Sequence, residues 1–234
     1  GVSVVKGGEI IGEDPLGTIP HTLVLCTGST VDSVQAFDEV IDPDVNRVAL
    51  IDTFNDEKFE CLNVAEVLGE KLYAVRFDTP SSRRGDFLHI LRESRWELDL
   101  RGFEQVKFFV SGGIKEEEVP HLNPLVDAYG IGTSISNAPV VDFSMDLVEI
   151  DGKPLAKRGK CSGAKTVLRC SQCHEDLLLP LEKEVKKCQC GGIYEQLLKP
   201  LLDGEILYDL PEPGKIRAYT LKQVKYLPDL NPGH

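Results

Sequence analysis

Four cysteines carry the most specific chemistry in this sequence. Two residues separate Cys170 from Cys173, one separates Cys188 from Cys190, and fourteen lie between the pairs. Two close thiolate pairs give zinc four soft ligands in a tetrahedron, and Gly191-Gly192 lets the backbone turn tightly beside the metal. With cysteine at every position no coordination site is left open, so the spacing predicts a structural ion. Cys161 and His174 are the residues that could each replace one ligand. Just upstream, Lys153, Lys157, Arg158, Lys160, Lys165 and Arg169 form a cationic run with no acid among them. In a chain this acidic such a run reads as an anion site, phosphate first; the alternative is an ordinary solvated strand pair.

The remaining candidates sit where predicted strands end. Asp52 closes the apolar run Arg47 to Thr53, and Arg76 and Asp78 lie at the tip of Leu72 to Phe77. A charged side chain at the C-terminal end of a strand in an α/β fold points to the place where ligands bind. Loop salt bridges are the simpler reading of each. Two glycine-rich loops, Ser111-Gly112-Gly113 and Gly130-Ile131-Gly132-Thr133, follow the last two strands of the series. His21 ends the rigid turn Gly17-Thr18-Ile19-Pro20-His21. A lone histidine there is more often structural than catalytic.

The elements that position these residues alternate. An apolar run at Val2 to Val5 reads as a first strand, and Arg47 to Thr53 as the second. A helix follows from an N-cap at Asn55, with Phe59, Leu62, Val67 and Leu68 along one side and Gly69 as its stop. Leu72 to Phe77 is a strand, Asp86 to Arg101 a helix ended by Gly102, and Val106 to Val110 a strand. From Lys115 a helical stretch is interrupted by Pro120 and Pro124, and Val126 to Ile131 is the last strand. Strands alternating with helices at this spacing predict βα units on a parallel sheet. Phosphate-binding loops after the final strands are a habit of (β/α)8 barrels, so a barrel is the expected form.

The expected organisation is an α/β barrel region over 1–139, strands over 140–169, a zinc knuckle over 170–192 and a helical tail over 193–234. Asp151-Gly152 marks a hairpin within the second segment. The tail should hold a helix near Tyr194 to Leu202 and another over Lys215 to Leu227. The chain opens directly in an apolar run, and its one methionine is Met145. Both features point to the C-terminal portion of a longer protein, so the barrel is expected to be incomplete.

Bulk numbers narrow the class. The 234 residues are 41% hydrophobic, mostly Val, Ile and Leu, enough for a large core of buried strands. A net charge of -12 opposes a general nucleic-acid binder. No apolar run is long enough to span a bilayer. Seven cysteines, four of them in metal spacing, argue against a disulfide framework and for a reducing, cytoplasmic setting. Cys26 and Cys61 are expected in the core.

Taken in order, six segments resemble nicotinate phosphoribosyltransferase, in the short form with a zinc-binding tail. They are GTIPHTL at 17 to 23, LIDTFNDE at 50 to 57, RFD at 76 to 78, VSGGI at 110 to 114, GIGTSISNAP at 130 to 139 and DGKPLAKRGKCSGAK at 151 to 165. The resemblance covers essentially the whole chain and rests on the combination and its order. It implies a type II phosphoribosyltransferase, an irregular α/β barrel accompanied by an α/β domain built around the N-terminal region. The strands of 140–169 would return to that domain.

The activity so implied is transfer of phosphoribosyl from 5-phosphoribosyl-1-pyrophosphate to the ring nitrogen of nicotinate, giving nicotinate mononucleotide and pyrophosphate. ATP would phosphorylate His21, and Mg²⁺ would accompany the pyrophosphate. Asp52 would orient His21 or hold the ribose and its magnesium pyrophosphate. Arg76 would pair with the nicotinate carboxylate and Asp78 would border the base. The loop of Ser111, Gly112 and Gly113 and the loop of Gly132 and Thr133 would receive the 5-phosphate. Lys157 and Arg158 would reach a phosphate across a subunit interface in a homo-oligomer, by analogy with type II enzymes. Carboxylates near an oxocarbenium-like sugar, and cations near the departing pyrophosphate, suit that chemistry. One segment departs from the family pattern: Thr79 to Asp86 is longer than the "DSGD" of the larger enzymes. The rival readings are a quinolinate or nicotinamide phosphoribosyltransferase, and a non-catalytic zinc-knuckle protein that binds RNA or protein.

Overall fold

A computed structural model describes residues 1–226, which divide into two compact units meeting at Val140 and Val141. The first unit has the order α1 (Val5–Ile11), α2 (His21–Thr27), α3 (Thr30–Val40), β1 (Arg47–Leu50), α4 (Glu57–Leu68) and β2 (Leu72–Phe77). It continues with α5 (Ser81–Arg84), α6 (Phe87–Leu100), β3 (Lys107–Val110), α7 (Val119–Leu122), β4 (Ala128–Tyr129) and α8 (Thr133–Ser136). The four strands form one sheet in sequential order, every pair parallel. Consecutive residues Ala49, Leu50 and Ile51 are all buried, as are Leu72, Ala74, Val75 and Phe77 along β2. Strands covered on both faces read as continuous apolar runs for this reason. The Phe77 and Phe108 rings meet edge-on with centroids 4.9 Å apart at the centre of the core.

Helix starts follow local hydrogen bonding. Asp86 caps α6 by accepting from the His89 N–H, and Ser29 caps α3 by accepting from Asp32. The cap of α4 is Asp56 and not the expected Asn55, whose amide instead donates to the buried Glu60. Three other expectations are corrected. Val2 to Val5 is not a strand: α1 starts at Val5, and Val4 and Val5 are exposed. A short apolar run does not by itself distinguish strand from helix, and no described strand pairs with it. Cys61 is buried as expected, but Cys26 lies on the exposed side of α2.

The second unit is built from short antiparallel pieces. β5 (Glu149–Ile150) and β6 (Lys153–Pro154) form the hairpin, with positive φ at Asp151 and Gly152 as a primed turn requires. β7 (Lys165–Cys170) is the centre of a three-stranded sheet between β8 (Asp176–Pro180) and β9 (Tyr194–Gln196). β10 (Leu202–Asp203) and β11 (Glu205–Ile206) make a small ribbon, and α9 (Pro213–Val224) follows. The helix expected over Tyr194 to Leu202 is therefore absent. Tyr194 to Gln196 instead completes the free edge of β7, and Pro200 blocks a helix behind it. Of the last expected helix, Leu227 lies outside the described residues. Among those residues no helix is long and apolar enough to cross a membrane.

Candidate functional site

Parallel strands bring their C-terminal ends to one edge of the sheet, and the candidate charged residues Asp52, Arg76 and Asp78 collect there. Asp52 follows β1, Arg76 and Asp78 bracket the end of β2, and Ser111 follows β3. His21, the first residue of α2, leans onto this edge. Its Nε2 lies 3.2 Å from both carboxylate oxygens of Asp52, and its Nδ1 lies 3.8 Å from Asp78 Oδ2. The imidazole is 41% exposed and the Asp52 side chain 3%. A buried carboxylate accepting from Nε2–H fixes the imidazole tautomer and leaves Nδ1 as the nitrogen with a lone pair.

The Arg76 guanidinium organises the other half. Nε donates to Ser111 Oγ at 2.8 Å, Nη2 to Asp78 Oδ2 at 3.0 Å, and Nη1 to Thr18 Oγ1. Ser111 Oγ in turn donates to Asp78 Oδ1 at 2.7 Å. Three of the five guanidinium N–H groups are thus engaged, leaving one on each terminal nitrogen for a ligand. The sequence-predicted residues His21, Asp52, Arg76, Asp78 and Ser111 form one connected cluster. Thr18 belongs to it as well; its place in the turn before His21 was its only signal.

The glycine loops lie beside this cluster for steric reasons. Gly112 has φ +86°, and a Cβ there would sit 2.7 Å from the Asp78 carbonyl oxygen. A Cβ on Gly130 would sit 2.9 Å from that of Ser111. Gly132 precedes the single turn of α8, and Ser134 Oγ donates to the Ile114 carbonyl at 2.6 Å, tying the second loop to the first. Thr133 is exposed at the start of that turn, where helix N–H groups lack intrahelical partners.

Burial raises the Asp52 pKa above 3.8, and the bond from His21 opposes the rise without cancelling it. The folded chain therefore keeps this proton to higher pH than the unfolded chain. Stability drawn from the protonated form is lost as pH climbs from about 4 to the raised value, then levels off. Asp52→Asn, which keeps an acceptor for Nε2–H, is expected to abolish this dependence. Urea titrations from pH 3.5 to 8 should show the variant gaining stability over the parent through that window, with no further gain above it.

In the second unit, the Cys170, Cys173, Cys188 and Cys190 sulfurs all lie within 4.8 Å of one another. Cys170 and Cys190 are 3.5 Å apart and Cys173 and Cys188 3.6 Å. A tetrahedral zinc thiolate with bonds of ~2.3 Å has sulfur–sulfur edges of ~3.8 Å, so the cluster is sized for the ion. N–H groups of Cys173 and then Gln172 lower the Cys170 thiol to about 6. A Cβ on Gly192 would sit 2.6 Å from Cys170 Sγ, so only glycine lets this backbone approach the ligand. Cys161 is exposed and outside the cluster. His174 stacks on Tyr226 with ring centroids 3.8 Å apart. Lys157 and Lys160 both pair with Asp146, at 2.7 and 3.0 Å, while Arg158 is exposed.

Known proteins bear on this arrangement. In Mycobacterium tuberculosis, one nicotinate phosphoribosyltransferase is 29% identical over 175 residues, 71% of this chain and 36% of its own length. A second from that organism is 34% identical over 131 residues, 53% of this chain and 28% of its own length. The chain thus spans about a third of the curated relatives it matches. The crystal structure of a nicotinate-nucleotide pyrophosphorylase from Pyrococcus furiosus shares 49% identity and superposes with a TM-score of 0.88. It is matched over 97% of this chain and 58% of its own. Human nicotinic acid phosphoribosyltransferase shares the fold at 18% identity and a TM-score of 0.52, over 97% of this chain and 59% of its own. The family model for the quinolinate phosphoribosyl transferase C-terminal domain matches residues 11–146, a span holding the whole His21, Asp52, Arg76, Asp78 and Ser111 cluster, and the chain belongs to that family.

Proposed function

We propose that this chain is the catalytic part of a nicotinate phosphoribosyltransferase acting in NAD metabolism. The sugar C1–O bond to pyrophosphate breaks, a bond forms between C1 and the pyridine nitrogen, and pyrophosphate leaves. The observation that carries the reading is the joined cluster at the sheet edge, which offers carboxylates, one partly free guanidinium and two glycine loops. Asp52 and Asp78 face a sugar that becomes cationic, and Arg76 has two N–H groups left for a pyridine carboxylate. The loops of Ser111 to Gly113 and Gly132 to Thr133 take the 5-phosphate. Mg²⁺, held by the pyrophosphate and Asp52, would offset leaving-group charge. Lys157 and Arg158 would contact a phosphate at a subunit interface of a homo-oligomer. The unbroken order of the four parallel strands, with no reversal, fits a segment of a barrel better than a doubly wound sheet. Four close thiolates suit a structural zinc site and a reducing, cytoplasmic setting.

The family model favours a second reading, a quinolinate phosphoribosyltransferase. Quinolinate carries two carboxylates. Beside Arg76 this cluster sets two more acids, Asp52 and Asp78, which would repel a second carboxylate. That supports the monocarboxylate.

His21 Nδ1, free of Asp52, is the nitrogen that would accept a phosphoryl group from ATP, to be released as phosphate after transfer. The test is product formation by the full-length protein with nicotinate, quinolinate or nicotinamide, with and without ATP. Nicotinate mononucleotide should form, faster with ATP, and His21→Ala should remove the stimulation. Product from quinolinate with loss of carbon dioxide would establish the second reading. No product from any pyridine would overturn both.

A further inference from the structure

The segment Thr79 to Asp86 delivers one buried cation that the reaction itself does not call for. Arg84 ends α5 at 5% exposure. Its Nε donates to the Thr79 carbonyl at 2.7 Å, and its Nη2 donates to the carbonyls of Ser111, at 2.8 Å, and of Gly112. Nη1 lies 3.8 Å from Glu118 Oε1, and the guanidinium stands over the Phe87 ring at 4.9 Å. One side chain thus grips the loop after β2 and the loop after β3 from behind.

The grip fixes a direction. In a trans peptide a carbonyl and the N–H of the next residue point opposite ways. Turning the Ser111 and Gly112 carbonyls onto Arg84 therefore turns the Gly112 and Gly113 N–H groups away from it. Among the described residues neither N–H has a backbone acceptor, and both glycines have positive φ, +86° and +75°. Two successive free N–H groups on one side of a turn make an anion-binding concavity. Without the guanidinium, the two peptide planes meet little steric resistance to flipping, since neither glycine has a Cβ. A flip would turn a carbonyl into the anion site and convert attraction to repulsion.

We propose that Arg84 is a positioning residue that makes the Ser111–Gly113 loop a phosphomonoester cradle, specific for the phosphate-bearing substrate. The inference rests on the reading of that loop as the 5-phosphate site. Arg84 does not touch the phosphate; it acts through the loop carbonyls. Lysine cannot replace it, because one ammonium cannot serve carbonyls that a planar fork reaches from two separate nitrogens.

The experiment uses the full-length protein with Arg84→Ala and Arg84→Lys. Steady-state kinetics on both substrates are set beside binding of nicotinate mononucleotide and of the phosphate-free nicotinate riboside. In both variants KM for the sugar pyrophosphate should rise about 10- to 100-fold, the effect of losing one or two charged hydrogen bonds. KM for the pyridine should change less than about threefold, and the nucleotide's advantage over the nucleoside should shrink in step. Guanidinium chloride at millimolar strength should recover part of the loss in Arg84→Ala and none in Arg84→Lys, whose side chain fills the space. Equal losses for nucleotide and nucleoside, or loss of folding in Ala without selective phosphate loss in Lys, would make Arg84 merely structural and overturn the proposal. If the parent itself binds nucleotide and nucleoside equally, the reading of the loop fails first, and the proposal with it.

Discussion

Arg76→Ala should lower kcat/KM for the pyridine substrate by about a thousandfold, roughly 4 kcal/mol, the range for truncating one partner of a desolvated charge network. Arg76 is the common partner of Thr18, Asp78 and Ser111. Removing it takes one bond from each of three side chains and leaves Asp78 beside Asp52 without its guanidinium partner. Two costs follow. On the proposed reading the pyridine carboxylate loses its guanidinium, and the carboxylates that would face the sugar lose their fixed geometry. The two can be separated. Arg76→Lys keeps charge but not the fork, so the Ser111 and Asp78 bonds cannot both persist. It should bind the acid about tenfold less well while losing most of kcat. On the proposed reading the Ala variant also loses its preference for nicotinate over nicotinamide, since only the acid needs the cation. Steady-state kinetics on both pyridines check this. An Ala variant within threefold of the parent would remove Arg76 from the site.

How much of this was legible in the sequence depends on the kind of residue. Asp52, Arg76, Asp78 and Ser111 could be placed because parallel strands share one chemically active end, so a polar residue after an apolar run has a predictable address. The strand Leu72–Phe77 matches its expected bounds, and the helix Phe87–Leu100 matches to within one residue, because both carry strong periodicity and clear stops. Arg84 could not be placed. It lies in a polar stretch next to Arg83, and only the fold turns one of the pair inward and leaves the other outside. Thr18 was hidden for a similar reason: its contact with Arg76 spans 58 positions. The errors fall where local pattern is weak. Val2 to Val5 has no flanking signal, and Tyr194 to Gln196 becomes a strand only because β7 has an open edge.

Removal of the proposed zinc is expected to give the other large effect. Beyond Val140, the described residues contain just two buried apolar side chains, Cys170 and Cys188, and both belong to the thiolate cluster. Leu178 within β8, and Leu181 and Ile193 next to the strands of the three-stranded sheet, are exposed. A sheet this small has little hydrophobic burial to hold it, so on the proposed zinc reading cross-linking through four sulfurs supplies the tie. Zinc binding in comparable sites is worth about 10–16 kcal/mol at neutral pH, far more than the sheet's own contacts. Cys170→Ser, or chelation of the parent, is therefore expected to unfold 165–196 while the parallel sheet of the first unit survives. Cys170 is the sharper choice, because it receives two backbone N–H groups and holds the turn at Gln172. Hydrogen exchange reads the outcome: protection should vanish over β7, β8 and β9 and persist in β1 to β3. One equivalent of zinc per chain should leave with it. If the purified protein carries no zinc and those strands stay protected, the four thiols are an unmetallated cluster and the sheet has another source of stability.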